Sequence, residues 1–114
     1  MESILTSIKK LLGIEEECEH FDSEIIPHIN TVLDDLTQLG VGPSEGYAIE
    51  DKTSTWIDFL SSGGSTQKME RVKTYTYLRV KLLFDPPDGA AHISAIERQI
   101  DKLEWRITVA ADSK

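Results

Sequence analysis

A chain of 114 residues with 39% hydrophobic residues is long enough for one domain with its own core. No run approaches the ~20 apolar residues of a membrane helix, and the first residues do not follow the pattern of a secretory signal, so we expect a protein that is neither membrane-inserted nor exported. A lone cysteine excludes an intrachain disulfide.

The net charge of −8 is unevenly divided along the chain. Residues 1–64 carry 13 acidic and 3 basic side chains, a net −10, whereas residues 65–114 carry 7 acidic and 9 basic ones, a net +2. Six acids without an intervening base lie between Glu15 and Glu24, a stretch we name the acidic segment. We expect it to repel phosphate. The usual explanation of such a run is a solvated loop, and the two explanations are compatible.

The first two predicted helices are amphipathic. Helix one has a single apolar face, and Gly13 follows it as a stop. Helix two begins at Asp22 or Ser23, either of which can act as a cap, and ends at Gly40. Its apolar side chains share one arc: Ile25, Ile26, Ile29, Val32, Leu33, Leu36 and Leu39.

A loop and a short helix follow. Residues from Val41 to Thr55 predict a loop with, at most, brief strand-like pairing. Behind the candidate caps Thr53 and Ser54, apolar residues recur at helical spacing and predict a short third helix; they are Trp56, Phe59 and Leu60. Ser61–Thr66 then has the composition of a flexible link.

The segment from Met69 to Phe84 predicts a long helix that is apolar on two sides. One stripe contains Met69, Val72, Thr76, Val80 and Leu83. A second stripe, more than roughly 90° away, contains Tyr75, Leu78 and Leu82. One neighbouring helix covers one stripe only. Either this helix is the centre of a small bundle, or the second stripe is a subunit interface.

Basic residues on this helix are scattered between the two stripes, whereas reading a DNA groove requires a clustered basic face. We therefore expect their stems to flank the apolar stripes and their charges to pair with acids on neighbouring helices or subunits. The residues are Lys68, Arg71, Lys73, Arg79 and Lys81.

The last predicted helix begins near Asp88, because the prolines before it disfavour helical geometry. Its apolar stripe contains Ile93, Ile96, Ile100, Leu103 and Ile107. Trp105 lies well off this stripe. Either it contacts a partner, since tryptophan is enriched at binding hot spots, or the helix ends early and Trp105 folds back over the Pro86–Pro87 corner.

After Trp105 the pattern changes. Ile107 and Val109 alternate with Arg106 and Thr108, which suits an extended strand that adds to the edge of a partner's sheet. A frayed terminus is the alternative. The sequence as a whole predicts an all-α fold, a small bundle of about four helices in residues 1–106 with two flexible loops, followed by an extended C-terminal arm at residues 107–114.

No residues are arranged for catalysis or for a cofactor. The acids mark no catalytic pair, no serine or cysteine stands in a nucleophile motif, and the glycine spacing matches no phosphate-binding loop. Cys18, His20 and His28 lack the second ligand pair of a closed zinc site. We therefore expect no enzyme activity, no metal and no cofactor.

Several segments, in this order and spacing, resemble the small head–tail connector proteins of tailed bacteriophages, also called adaptor or head-completion proteins. The resemblance is carried by Ile8–Ile14, Phe21–Asn30, Gln38–Pro43, Thr55–Leu60, Val72–Pro87 and Arg98–Arg106. It covers most of the chain, and no single segment is a catalytic signature. Phage stopper proteins are β-rich, so the helical periodicity of this chain argues against its being a stopper protein.

The resemblance implies a protein of the virion neck, present in the host cytoplasm during assembly. Members dock on the portal ring, form a homo-oligomeric ring, expected here to be dodecameric, that extends the DNA channel, and provide a platform for the stopper or tail component. Genomic DNA passes through without sequence-specific binding, and no membrane is involved. The expected portal-docking residues are Trp105, Arg106, Ile107 and Val109, and the expected subunit-interface residues are Tyr75, Leu78 and Leu82.

The residues alone leave another function open. A small helical regulator or scaffold protein that binds a single protein partner has the same composition and the same second apolar stripe on its long helix. Particle size with and without portal rings distinguishes the two functions.

Overall fold

The computed structural model describes residues 3–42, 46–60 and 66–112, with the backbone alone at 66–68 and 110–112. Five helices make up this part of the chain: α1 (Ile4–Leu11), α2 (Asp22–Gln38), α3 (Trp56–Leu60), α4 (Thr66–Phe84) and α5 (Ala90–Asp112). The predicted all-α fold is confirmed. Of the predicted link Ser61–Thr66, residues 61–65 lie outside the described residues and Thr66 begins α4.

The start of α1 is tied to the loop that precedes α3. The Ser3 hydroxyl accepts a hydrogen bond from the amide of Thr6 at 3.2 Å, which caps the helix. Ser3 also forms an isolated antiparallel bridge with Thr55, and the amide of Ile4 donates to the carbonyl of Ser54 at 3.0 Å. Brief strand-like pairing in the Val41–Thr55 loop is therefore confirmed at this point.

Helix α2 begins differently from the prediction and ends as predicted. Phe21 is the cap residue and makes no side-chain cap hydrogen bond, so Asp22 and Ser23 already belong to the first turn. At the other end Gly40 has a φ of +96°, and the amide of Val41 donates to the carbonyl five residues earlier at 2.9 Å. This pattern is a Schellman motif, which satisfies carbonyls that the helix end would otherwise leave unpaired.

Helix α3 is short and depends on its cap and its aromatic side chains. Thr55 Oγ1 accepts from the amide of Asp58 at 3.1 Å, and Asp58 Oδ2 accepts from the amide of Thr55 at 3.4 Å. This capping box places the cap one or two residues after the predicted Ser54 and Thr53. The two aromatic side chains of the helix are fully buried, Trp56 and Phe59.

Helix α4 is the centre of the bundle. It packs against α1 and α2, which also contact each other, and against α5. Side chains from both of its apolar stripes are buried within the chain: Val72, Tyr75, Thr76, Leu78 and Val80. The structure therefore gives the first of the two alternatives for this helix, because Tyr75 and Leu78 of the second stripe are buried within the chain, where α5 packs on α4.

The predicted extended arm is also wrong. Helix α5 continues to Asp112, so the boundary proposed between residues 106 and 107 falls inside a helix, and residues 113–114 lie outside the described residues. Ile107 follows Leu103 and Ile100 at helical spacing and is buried with them in the core. Burial of this third apolar side chain outweighs the local two-residue alternation that suggested a strand.

Because Leu78 is 8% exposed and Leu83 on the same helix is 49% exposed, the two positions make a matched pair. Leu78→Glu should destabilise the fold by about 3–5 kcal/mol, since it places a carboxylate in the packed core. Leu83→Glu should cost no more than about 1 kcal/mol. Urea unfolding followed by circular dichroism measures both. Equal stability of the two variants would mean that α5 does not cover Leu78.

Candidate functional site

A polar network joins α2, α4 and α5. Arg79 on α4 donates hydrogen bonds to Asp35 Oδ2 on α2 and to the hydroxyl of Tyr75, each at 2.8 Å. The hydroxyl of Tyr75 in turn donates to Glu104 Oε2 on α5 at 2.9 Å. The guanidinium also lies 5.6 Å from the centre of the Tyr75 ring, a cation–π distance. The expectation that bases on this helix pair with acids on neighbouring helices is confirmed at Arg79.

The pKa of Tyr75 is shifted mainly by burial. Burial raises the pKa of its hydroxyl to about 12, the positive charge of Arg79 opposes the shift, and the hydrogen bond donated to Glu104 adds to it. The hydroxyl therefore remains a donor at neutral pH. Its role is to hold α5 in place on α4.

Most of the residues expected at a subunit interface are buried within the chain. Tyr75 is fully buried and Leu78 nearly so. Leu82 is half-buried at a surface groove that it shares with Arg79 and Ile100. An interface at these positions stays a prediction, and of the three side chains Leu82 has the most surface left for a partner.

The residues expected at the portal are brought together on α5, with one exception. Trp105 is 67% exposed and Val109 is 42% exposed, one helical turn apart, and Arg106 is exposed beside them. Ile107 points into the core instead. Trp105 does not fold back over the Pro86–Pro87 corner, because α5 continues past it to Asp112.

The outward side of α5 carries more than the sequence analysis identified. Five exposed side chains share one arc opposite Ile100, Leu103 and Ile107. We name this arc the basic face; it consists of Arg98, Lys102, Trp105, Arg106 and Val109. Lys102 was missed. The signal that finds it is recurrence at i, i+4, i+7, i+8 and i+11 on the side of the helix facing away from the isoleucine stripe.

Charges on α5 are segregated. Glu97 and Asp101 line the surface groove that also contains Arg79 of α4. The three bases of the basic face make no ion pair with any residue in the described ranges. The outer side of α5 therefore carries three bases without ion-pair partners around an exposed tryptophan, in a protein whose overall charge is −8.

A second surface has the opposite character. The acidic segment and the loop at residues 50–53 meet beside α1 and the start of α2, where they line a groove of about 320 Å³. We name it the acidic groove. Its carboxylates are those of Glu16, Glu19, Asp22, Glu50 and Asp51, and its apolar lining comes from Leu5 and Ile26. Glu50 and Asp51 were not predicted here from the sequence, because folding alone brings them to the acidic segment.

Two lysines also line the acidic groove, and they differ in their surroundings. Lys9 is only 3% exposed; its ammonium lies 2.9 Å from Asp22 Oδ1 and donates to the carbonyl of Glu16 at 3.1 Å. This buried contact fixes the acidic segment against α1. Lys52 is exposed. Within the described part of the chain Glu16, Glu19 and Glu50 make no ion pair, so the groove keeps a net negative charge.

Two further properties concern membranes and metals. None of the helices, over the residues described, is both long and apolar enough to span a bilayer. Over the same residues, no three side chains of the histidine, cysteine, aspartate or glutamate type are grouped in a way that could hold a metal ion.

A family model for phage connector proteins matches residues 4–114, from the first residue of α1 to the end of the chain. The chain belongs to the phage connector protein family. The resemblance deduced from the sequence is therefore confirmed. The family is a structural one, and membership implies a component of the virion neck. Searches of curated proteins and of solved structures found no match to this connector.

The Tyr75 network predicts a loss of stability in alkali. Because the pKa of Tyr75 is about 12 in the folded protein and about 10 unfolded, its contribution is complete below pH ~10 and is lost as the pH rises towards ~12. Tyr75→Phe should cost about 1–3 kcal/mol at neutral pH by removing two hydrogen bonds.

The Tyr75→Phe variant should also lose less stability than the wild type between these two pH values. Urea unfolding at a series of pH values tests this, with Tyr77→Phe as the control from the same helix. If Tyr75→Phe and wild type lost stability in parallel, the network would not set the pH dependence.

Proposed function

We propose that this protein is a head–tail connector that docks on the portal ring of a DNA-filled capsid. There it forms a homo-oligomeric ring, dodecameric in our expectation, which extends the DNA channel and provides a platform for the next neck or tail component. It works in the virion neck, resides in the host cytoplasm before assembly, and performs no reaction. The observation that carries the proposal is the family match over residues 4–114.

The distribution of apolar side chains supports a protein that folds first and assembles afterwards. Most side chains of both α4 stripes are covered by helices of the same chain. Two of the surfaces left for partners are the basic face and the acidic groove, which are polar apart from Trp105 and Val109 on one and a limited apolar lining on the other. Such surfaces suit contacts between folded subunits, whereas an obligate oligomer presents a large apolar interface.

The negative charge supports a passive role around DNA. Proteins that hold a duplex do so by releasing its counterions with lysine and arginine. A channel wall rich in carboxylates gains nothing from this release, so the genome passes without adhering. Residues 1–64, with a net charge of −10, supply that kind of surface.

Cosedimentation with capsids tests docking. The full chain should sediment with portal-containing capsids at a ratio of many copies per portal vertex, and should stay in the supernatant with capsids that lack the portal. Light scattering of the protein with isolated portal rings should show the same saturation. A single bound copy per partner would favour the regulator or scaffold function, and no binding to either particle would contradict the connector proposal.

A DNA-binding assay tests the passive role. At physiological salt and micromolar protein, fluorescence anisotropy of a labelled duplex should not change, because like charges keep the protein from the phosphates. A strongly basic protein of similar size serves as the positive control. Salt-dependent binding under these conditions would contradict a wall that DNA passes without adhering.

A further inference from the structure

We propose that the basic face of α5 in one copy binds the acidic groove of the next copy, and that this contact repeats from copy to copy. The inference rests on the proposed ring, and it adds which two surfaces make the ring. Neither surface includes Tyr75, Leu78 or Leu82, the residues that the sequence predicted at a subunit interface.

The basic face has the composition of a binding surface. Arg98, Lys102 and Arg106 recur along one side of α5 and make no ion pair within the described ranges. Trp105 lies among them with two thirds of its surface exposed, and Val109 extends the exposed apolar area by one turn. From residue 98 to residue 109 the face is ~17 Å long at 1.5 Å per residue. Tryptophan and arginine are the residues most enriched where binding energy is concentrated.

The acidic groove complements this face in charge and in shape. Five carboxylates line it against two lysines, one of which is buried in its contact with Asp22. The side chains of Glu16, Glu19 and Glu50 are exposed and lack ion-pair partners among the described residues. Between the acids, Leu5 and Ile26 give the groove an apolar lining. A cavity of about 320 Å³ can take an aromatic side chain surrounded by cations.

One chain does not bring its own two surfaces together. The groove lies on α1, the start of α2 and the loop at residues 50–53. The basic face points away from α4, since the opposite side of α5 is the side that packs on α4 through its buried Ile100, Leu103 and Ile107. A second copy can bring them together. Two different patches that bind head to tail generate a ring when the rotation closes, as the proposed function requires.

The chemistry of the contact also sets its strength. Ion pairs at an exposed surface contribute little and are screened by salt. Copies free in solution should therefore associate weakly and mainly at low ionic strength. Copies held side by side on a portal have a high effective concentration, so the same contact becomes stable there.

Site-specific crosslinking tests the pairing directly. Cys18, the lone cysteine, lies in the acidic segment, so Lys102→Cys creates a chain with one thiol near each surface. With a short bismaleimide, Lys102→Cys bound to portal-containing capsids should give a ladder of dimers, trimers and larger species. Wild type, with Cys18 alone, can give dimers at most. Thr31→Cys, at an exposed position on α2, is the matched two-thiol control and should give no ladder.

Charge reversal provides an independent test. Its decisive result is a restoration of binding, which a misfolded variant cannot produce. Arg98→Glu with Lys102→Glu should reduce the copies bound per portal vertex at least tenfold, and Glu16→Lys with Glu19→Lys should do the same. All four changes in one chain should restore binding, because both surfaces are then reversed. Glu97→Lys, a reversal on another side of α5, should leave binding unchanged, and circular dichroism should show that each variant is folded.

The outcomes separate the inference from the proposed function. If wild type fails to sediment with portal-containing capsids, the connector proposal fails. If wild type sediments but Lys102→Cys gives no ladder, the pairing is wrong and the connector proposal stands. If the four-change chain stays unbound while the groove reversal alone binds normally, the basic face contacts the portal instead of a second copy, and the inference is overturned.

Discussion

The fold depends on the burial of α4 on two sides. A helix with two separated apolar stripes is stable in water only when neighbours cover both, and here α1 and α2 cover one side while α5 covers the other. The Asp35–Arg79–Tyr75–Glu104 network then fixes the three helices relative to one another, since each polar group has its partner on an adjacent helix or one turn away. α5 thereby obtains a defined orientation, and with it a defined outer face.

This arrangement lets one chain bury its core by itself. Most large apolar side chains of α4 are buried within the chain, so the surface presents charged groups and a few exposed apolar side chains such as Leu83 and Trp105. Interactions of that type are individually weak, salt-sensitive and reversible. The charge division visible in the sequence thus becomes a division between two surfaces.

Sequence periodicity predicted much of this fold, and it failed where local patterns compete with tertiary contacts. The stripes of α2 and α4, the stop at Gly40 and the off-stripe position of Trp105 followed from spacing alone. The arm failed because the alternation of Arg106 to Val109 was given more weight than the helical spacing that already placed Ile107 on one stripe with Leu103. The acidic groove could not be predicted, since Glu50 and Asp51 reach the acidic segment only through the chain's path around α1.

The two tryptophans of the chain occupy opposite environments. Trp56 is fully enclosed, and its indole N–H donates to the hydroxyl of Ser7 at 2.8 Å, whereas Trp105 stands largely in solvent on the outer side of α5. An enclosed indole emits at shorter wavelength than a hydrated one, so the protein carries two separable fluorophores. Emission from Trp56 follows unfolding of the core, and emission from Trp105 follows burial of the outer surface. One spectrum of the unlabelled protein therefore distinguishes a folded chain, a folded chain whose outer α5 surface is covered, and an unfolded chain.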